Sequence, residues 1–171
     1  MLENTDTLLS MAEIAAAFAG FAALVSVLSR RGSRPSEIHD LLRLRLVISS
    51  AVAGVAAALI PVGLAGYGIE EGLIWRLAAV MFLVFDNWII ISFTRAYRPV
   101  QGTFPPDSLA VSLVSVVEVL EQVSLLIVVL GLSAINAPAL YVTALIANIC
   151  QAGFIFVRFV GSAFSYGDAS D

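Results

Sequence analysis

The sequence predicts an all-α, polytopic integral membrane protein, a bundle of about five transmembrane helices with the N-terminus outside and the C-terminus cytoplasmic. Three observations predict it. Hydrophobic residues fill 60% of the 171 positions and the mean hydropathy is +0.96, outside the range of a soluble globular chain. The apolar residues gather into blocks near 8–28, 46–67, 77–94, 109–131 and 138–160, each close to the length that crosses a hydrocarbon core of about 30 Å. Five spans also place Arg30, Arg31, Arg34, Arg43, Arg45, Arg95, Arg98 and Arg158 on one side and only Arg76 on the other. That asymmetry marks the cytoplasmic face. One membrane domain, 1–160, takes nearly the whole chain, with 161–171 as a small, acidic, flexible tail.

The first block begins after an acidic N-terminus without a basic leader region and ends in Arg30 and Arg31, so it is read as a retained span. Ala12, Ala15, Ala16, Ala19, Gly20, Ala22, Ala23 and Ser26 gather on one face, and Ile14, Phe18, Phe21, Val25 and Leu28 on the other. Small side chains allow close helix approach. Glu13 lies on the border between the faces. In a homo-oligomer it forms a ring of acids at an outer mouth; alone it is an interfacial acid near a helix N-terminus.

Residues 29–45 form a basic, Gly/Pro-broken connection in which Ser36 can cap a short helical run into the second block. There Ser50, Gly54 and Ala58 recur every fourth residue, as do Ala53, Ala57, Pro61 and Ala65, a pattern suited to close packing. Pro61 removes a backbone donor and is expected to kink the helix or be tolerated within a packed bundle. After the acidic turn at 68–72, the third block carries Asp86 and Asn87 at its centre and closes at Arg95 and Arg98. Asp107 or Ser108 is placed to cap the fourth block, and Asn136 the fifth, with Pro138 in its first turn.

The fourth block holds the conflict. Ser108, Ser112, Ser115, Glu118, Glu121 and Gln122 share one side at 100° per residue, and lipid cannot face it. A carboxylate at the bilayer centre costs about 2.5–3.5 kcal/mol on insertion scales. Counting from the short turn after Gly131 places Glu118 and Asn148 at one depth, about 18–20 Å from that end, and Asp86 lies about 15 Å from Arg76. The candidate layer is therefore Asp86, Asn87, Glu118, Glu121, Gln122, Asn148 and Gln151. These are hard oxygen donors, suited to a proton, Na⁺, Ca²⁺ or Mg²⁺. Glu118 and Glu121 would repel if both were ionised, so a shared proton or a bound cation is expected.

Counting also excludes. The chain has no lysine, which removes retinal or pyridoxal Schiff bases and a P-loop; one histidine (His39) and one cysteine (Cys150) cannot supply a bis-histidine haem, a CxxC pair or an internal disulfide. No cofactor is expected. A net charge of −4 does not suit nucleic acid. No nucleophile, base and orienting group combine into a hydrolase, so the chain is not read as an enzyme. Arginine without lysine and a high alanine content fit a bacterial inner-membrane protein.

The functional expectation is a small channel or transport protein in the lipid bilayer. It passes or couples cations or protons through the intramembrane carboxylates, as a homo-oligomer. Its alternative is a non-catalytic subunit whose polar layer recognises a partner's transmembrane helix. The blandest account of the amides is interhelical glue.

Overall fold

Every regular element is helical in the computed structural model, which describes residues 2, 4–29, 37–100, 102, 107–132 and 136–165. The helices are α1 (Thr5–Ser29), α2 (Glu37–Ala65), α3 (Glu71–Tyr97), α4 (Ser108–Leu130) and α5 (Ala137–Ser165), with one 3-10 turn at Arg98–Val100. All five are long and apolar enough to cross a membrane. The expected Ser36 cap, Arg30, Arg31 and Arg34 of the basic loop, the tail beyond 165 and the side chains of His39 and Asp40 lie outside what is described.

The helix ends follow local chemistry. Asp107 caps α4 by accepting the Leu109 N–H at 3.1 Å. Gly131 ends it in the left-handed region, φ 63°, and the Leu132 N–H closes back on the Ile127 carbonyl at 3.4 Å. Asn136 caps α5 through the Ala139 N–H at 3.3 Å. Three helices, α2, α3 and α5, run well beyond the hydrophobic blocks. α2 continues unbroken from Glu37, and α3 starts at Glu71, where the Glu71 carboxylate accepts the Trp75 indole N–H at 3.3 Å. A buried tryptophan in the first turn draws that turn into the bundle, which hydropathy alone does not register. α5 runs to Ser165, into the stretch read as tail.

α2 and α5 form the centre of the bundle; α1 packs in the groove between them, and α3 and α4 close the other side. Only part of the small face of α1 turns inward: Ala12, Ala15 and Ala22 are buried, Ala16, Gly20 and Ala23 are exposed with Ile14, Phe21, Leu24 and Val27, and Phe18 of the large face packs against Phe156 of α5. Gly54 of α2 sits under Ala15, where an added Cβ would stand 3.4 Å from the alanine methyl. One core draws on all five helices, around Trp75, Phe82 and Tyr141. A second, around Ala22, Val47 and Ile155, lies toward the other end.

Pro61 lies inside α2, which runs through it. Lacking an N–H, it leaves the carbonyl four residues earlier, that of Ala57, without its helical donor. The buried Tyr141 hydroxyl donates to that oxygen at 2.7 Å. A proline defect on one helix is thereby made good by a side chain of another, which also fixes the rotation of α5 against α2. Tyr141→Phe is expected to lower stability by roughly 1–3 kcal/mol, because it strands a buried acceptor. Adding Pro61→Ala restores the N–H and should recover part of the loss, read by denaturant unfolding in detergent as a double-mutant cycle.

Candidate functional site

Midway along the bundle, α3 contributes Asp86, α4 Glu118, Glu121 and Gln122, and α5 Asn148 and Gln151. One carboxylate oxygen from each of Asp86, Glu118 and Glu121 lies within 4.8 Å of the others. Gln122 is the connector: its Nε2 donates to Glu118 Oε1 at 3.0 Å and to Asp86 Oδ2, while its Oε1 accepts from Asn87 Nδ2 at 3.2 Å. Asn87 also donates to the Leu83 carbonyl at 2.8 Å. From α5, Gln151 Nε2 donates to Glu118 Oε2 at 3.2 Å.

Glu121 differs from its neighbours. It is 0% exposed, and neither carboxylate oxygen has a hydrogen-bond partner. The Asn148 amide stands beside it, short of hydrogen-bond geometry, and is itself 3% exposed. Asn148 Oδ1 and Gln151 Oε1 are also unpartnered. Gly54 makes room for the asparagine, since a Cβ there would stand 3.0 Å from Asn148 Oδ1. The glycine of the small-residue pattern therefore helps to seat a site residue, which the pattern alone indicates only as close packing.

The charges acting on Asp86 and Glu121 are those of other carboxylates. At an effective dielectric near 20, each ionised pair this close repels by roughly 3–4 kcal/mol. Neutralisation by protons or a cation is what the arrangement calls for. The arginines whose contacts are described lie elsewhere: Arg158 bridges to Asp107 at 2.8 Å, and the Arg76 guanidinium packs over Gly131 at the C-terminal end of α4. That second contact places a cation against the negative end of the helix dipole.

The structure thus gathers Asp86, Glu118, Glu121, Gln122 and Gln151, sets Asn148 against Glu121 and leaves Asn87 at an exposed rim. It does not bring in Glu13, which faces outward from α1. Arg158, weighed in sequence as a partner for the intramembrane acids, pairs instead with the residue that caps α4. Comparison with protein-family models, curated proteins and solved structures finds no match to the chain.

The exposed Asp107 carboxyl, at the N-terminal end of α4, is held below its ordinary 3.8 by the Arg158 hydrogen bond first and the Leu109 N–H second. A depressed folded value gives stability that is present above the ordinary carboxylate range and lost as pH falls through the lowered value. Thermal unfolding scanned from about pH 6 to about pH 2 should show this acid-side loss, and Arg158→Gln should shrink it.

Proposed function

We propose that the chain is a small membrane channel or transport protein that passes or couples cations or protons through Asp86, Glu118 and Glu121. The observation that carries this reading is Glu121, a fully buried carboxylate with two unpartnered oxygens meeting two further acids within 4.8 Å. Such a group in a membrane-spanning helix is stabilised by what it binds. The amide oxygens of Asn148 and Gln151 extend the set of hard donors. No part of the reading needs a cofactor or enzymatic chemistry.

Arg43, Arg45, Arg95, Arg98 and Arg158 gather toward one end of the bundle and Arg76 toward the other, which supports a cytoplasmic assignment for the first end in a bacterial inner membrane. Glu13 supports a homo-oligomer, because an acid on the outward face of a candidate span would otherwise meet lipid. The second reading, an interaction subunit, is favoured by one feature: Asn87, Ser112 and Ser115 are exposed on the bundle surface, where another helix can meet them.

In liposomes under a voltage or pH gradient, the purified protein should conduct or exchange at least one of H⁺, Na⁺, K⁺, Ca²⁺, Mg²⁺ or Mn²⁺. Glu121→Gln, Asp86→Asn and Glu118→Gln should each cut that flux by about tenfold or more, equivalent to about 1.4 kcal/mol in the transport barrier, while eluting as the parent does on gel filtration. Wild-type protein that moves none of these ions would sink the proposal.

A further inference from the structure

The two halves of the bundle are built differently, and the acids stand at their boundary. In α3 the buried residues are Ile74, Trp75, Ala78, Ala79, Phe82 and, last, Asp86. In α4 they begin with Glu121 and continue through Ser124, Leu125 and Val128. These helices are antiparallel, as Arg76 near the start of α3 lies over Gly131 at the end of α4. Both buried stretches therefore occupy the same half. Toward the arginine-rich end, neither Asn87–Tyr97 nor Ser108–Leu120 contains a buried residue. α5 behaves otherwise there: Ala152, Ile155 and Phe159 stay buried, and Ile155 joins Ala22 and Val47 in the second core. One half is a five-helix core; in the other α3 and α4 bury no side chain fully, and Val114 of α4 packs part-buried against the core of Ala22, Val47 and Ile155.

The first half is filled. Trp75 is 1% exposed, and Phe82 and Tyr141 are 0%. Tyr141 has ring centroids 5.4 Å from Trp75 and 6.1 Å from Phe82, and its hydroxyl is fixed to Ala57. In the second half, Ser115 lies two helical turns from Gln122 on the same face of α4, while Ser112 is turned about 60° further round, onto the outer side that also carries Val116 and Val119. Both serines are exposed, Asn87 is exposed on α3, and Glu118 and Gln122 are half-buried. Between α2 and α3 a concavity lined by Arg45, Ser49, Trp88, Ser92 and Phe93 opens in this half too.

We infer that the acid cluster is reached from the arginine-rich end only, along the face of α4 bearing Ser115, and is closed toward the opposite end by the Trp75, Phe82 and Tyr141 layer. This rests on reading the cluster as an ion site, and it makes the site a one-ended one in this conformation: a proton or a small hydrated inorganic cation enters and leaves by the same end. Passage onward requires the aromatic layer to separate. The serine hydroxyl on that face is solvated by water on the route, an environment that lipid does not offer.

The test is thiol accessibility in the full-length chain, with Cys150→Ala removing the single native thiol. A membrane-impermeant, charged methanethiosulfonate is applied to each side of oriented vesicles, with Gly102→Cys marking the arginine-rich side and Tyr67→Cys the other. Thiolate forms only where water reaches, so Ser115→Cys should react roughly tenfold faster from the Gly102 side than from the Tyr67 side. Val116→Cys, exposed at nearly the same depth but on another face, and Ser124→Cys in the closed half should react slowly from both. Ser115→Cys reacting no faster than Val116→Cys, or Ser124→Cys reacting from the Tyr67 side, would overturn the inference. Labelling does not depend on flux. One-sided labelling in a protein that moves no ion removes the function and leaves the route, whereas two-sided labelling with carboxylate-dependent flux does the reverse.

Discussion

Three carboxylates held within 4.8 Å of one another, in helices apolar enough to cross a membrane, set the terms on which the rest of the bundle packs. Helical backbone is already hydrogen-bonded to itself and offers them nothing, so any donor must be a side chain. The amides of Gln122 and Gln151 meet that need for Asp86 and Glu118, and their geometry requires α3, α4 and α5 to converge at one level. Gly54 of α2 eases the seating of Asn148 beside them, since a Cβ there would stand 3.0 Å from its Oδ1 and press the asparagine aside.

The same logic recurs away from the acids. Pro61 strands a carbonyl, and Tyr141 from the neighbouring helix supplies the donor. Asp107 ends the run of free N–H groups at the start of α4 and at the same time anchors Arg158 of α5. Arg76 covers the free carbonyl end of α4 at Gly131. Each of these contacts answers a polar group that lipid would leave unmet, and each ties two helices together as it does so. α4, whose arginine-rich half buries no side chain fully, is held at both ends by them.

Much of this is readable in the sequence because membrane helices are long and their breaks are strong. Gly131, Asn136 and Asp107 end or start helices where their chemistry says they should; counting residues from the α4–α5 turn places Glu118 and Asn148 at one depth, and counting from Arg76 puts Asp86 near it. Helix extent is less readable: hydropathy marks the apolar stretch and misses the polar first turns of α2 and α3, the second of which is tied to the buried Trp75 by the Glu71 carboxylate. Pairing is least readable. The sequence leaves Arg158 several acids to choose from, and the packing of α4 against α5 sets Asp107 beside it. The Tyr141 to Ala57 bond has a sequence signal, since any proline within a span strands a known carbonyl. The donor's identity still depends on which helix lies alongside, and that is a property of the assembled bundle.

Interhelical adhesion alone is a poor account of Glu121. A glutamine there would keep the shape and add two donors to a cluster rich in acceptors, where Asn148 Oδ1 and Gln151 Oε1 lack partners. Amide contacts of this kind hold membrane helices together at about 0.6–2 kcal/mol each and carry no charge to be neutralised. Three acids add repulsion and leave both oxygens of Glu121 unmet, a charge that the amides around them do not neutralise. A partner helix bearing only neutral groups would not supply it. Of the occupants weighed, a proton or a metal cation is small enough to reach a carboxylate that no solvent touches, and it is this requirement of size as well as charge that favours transport over recognition.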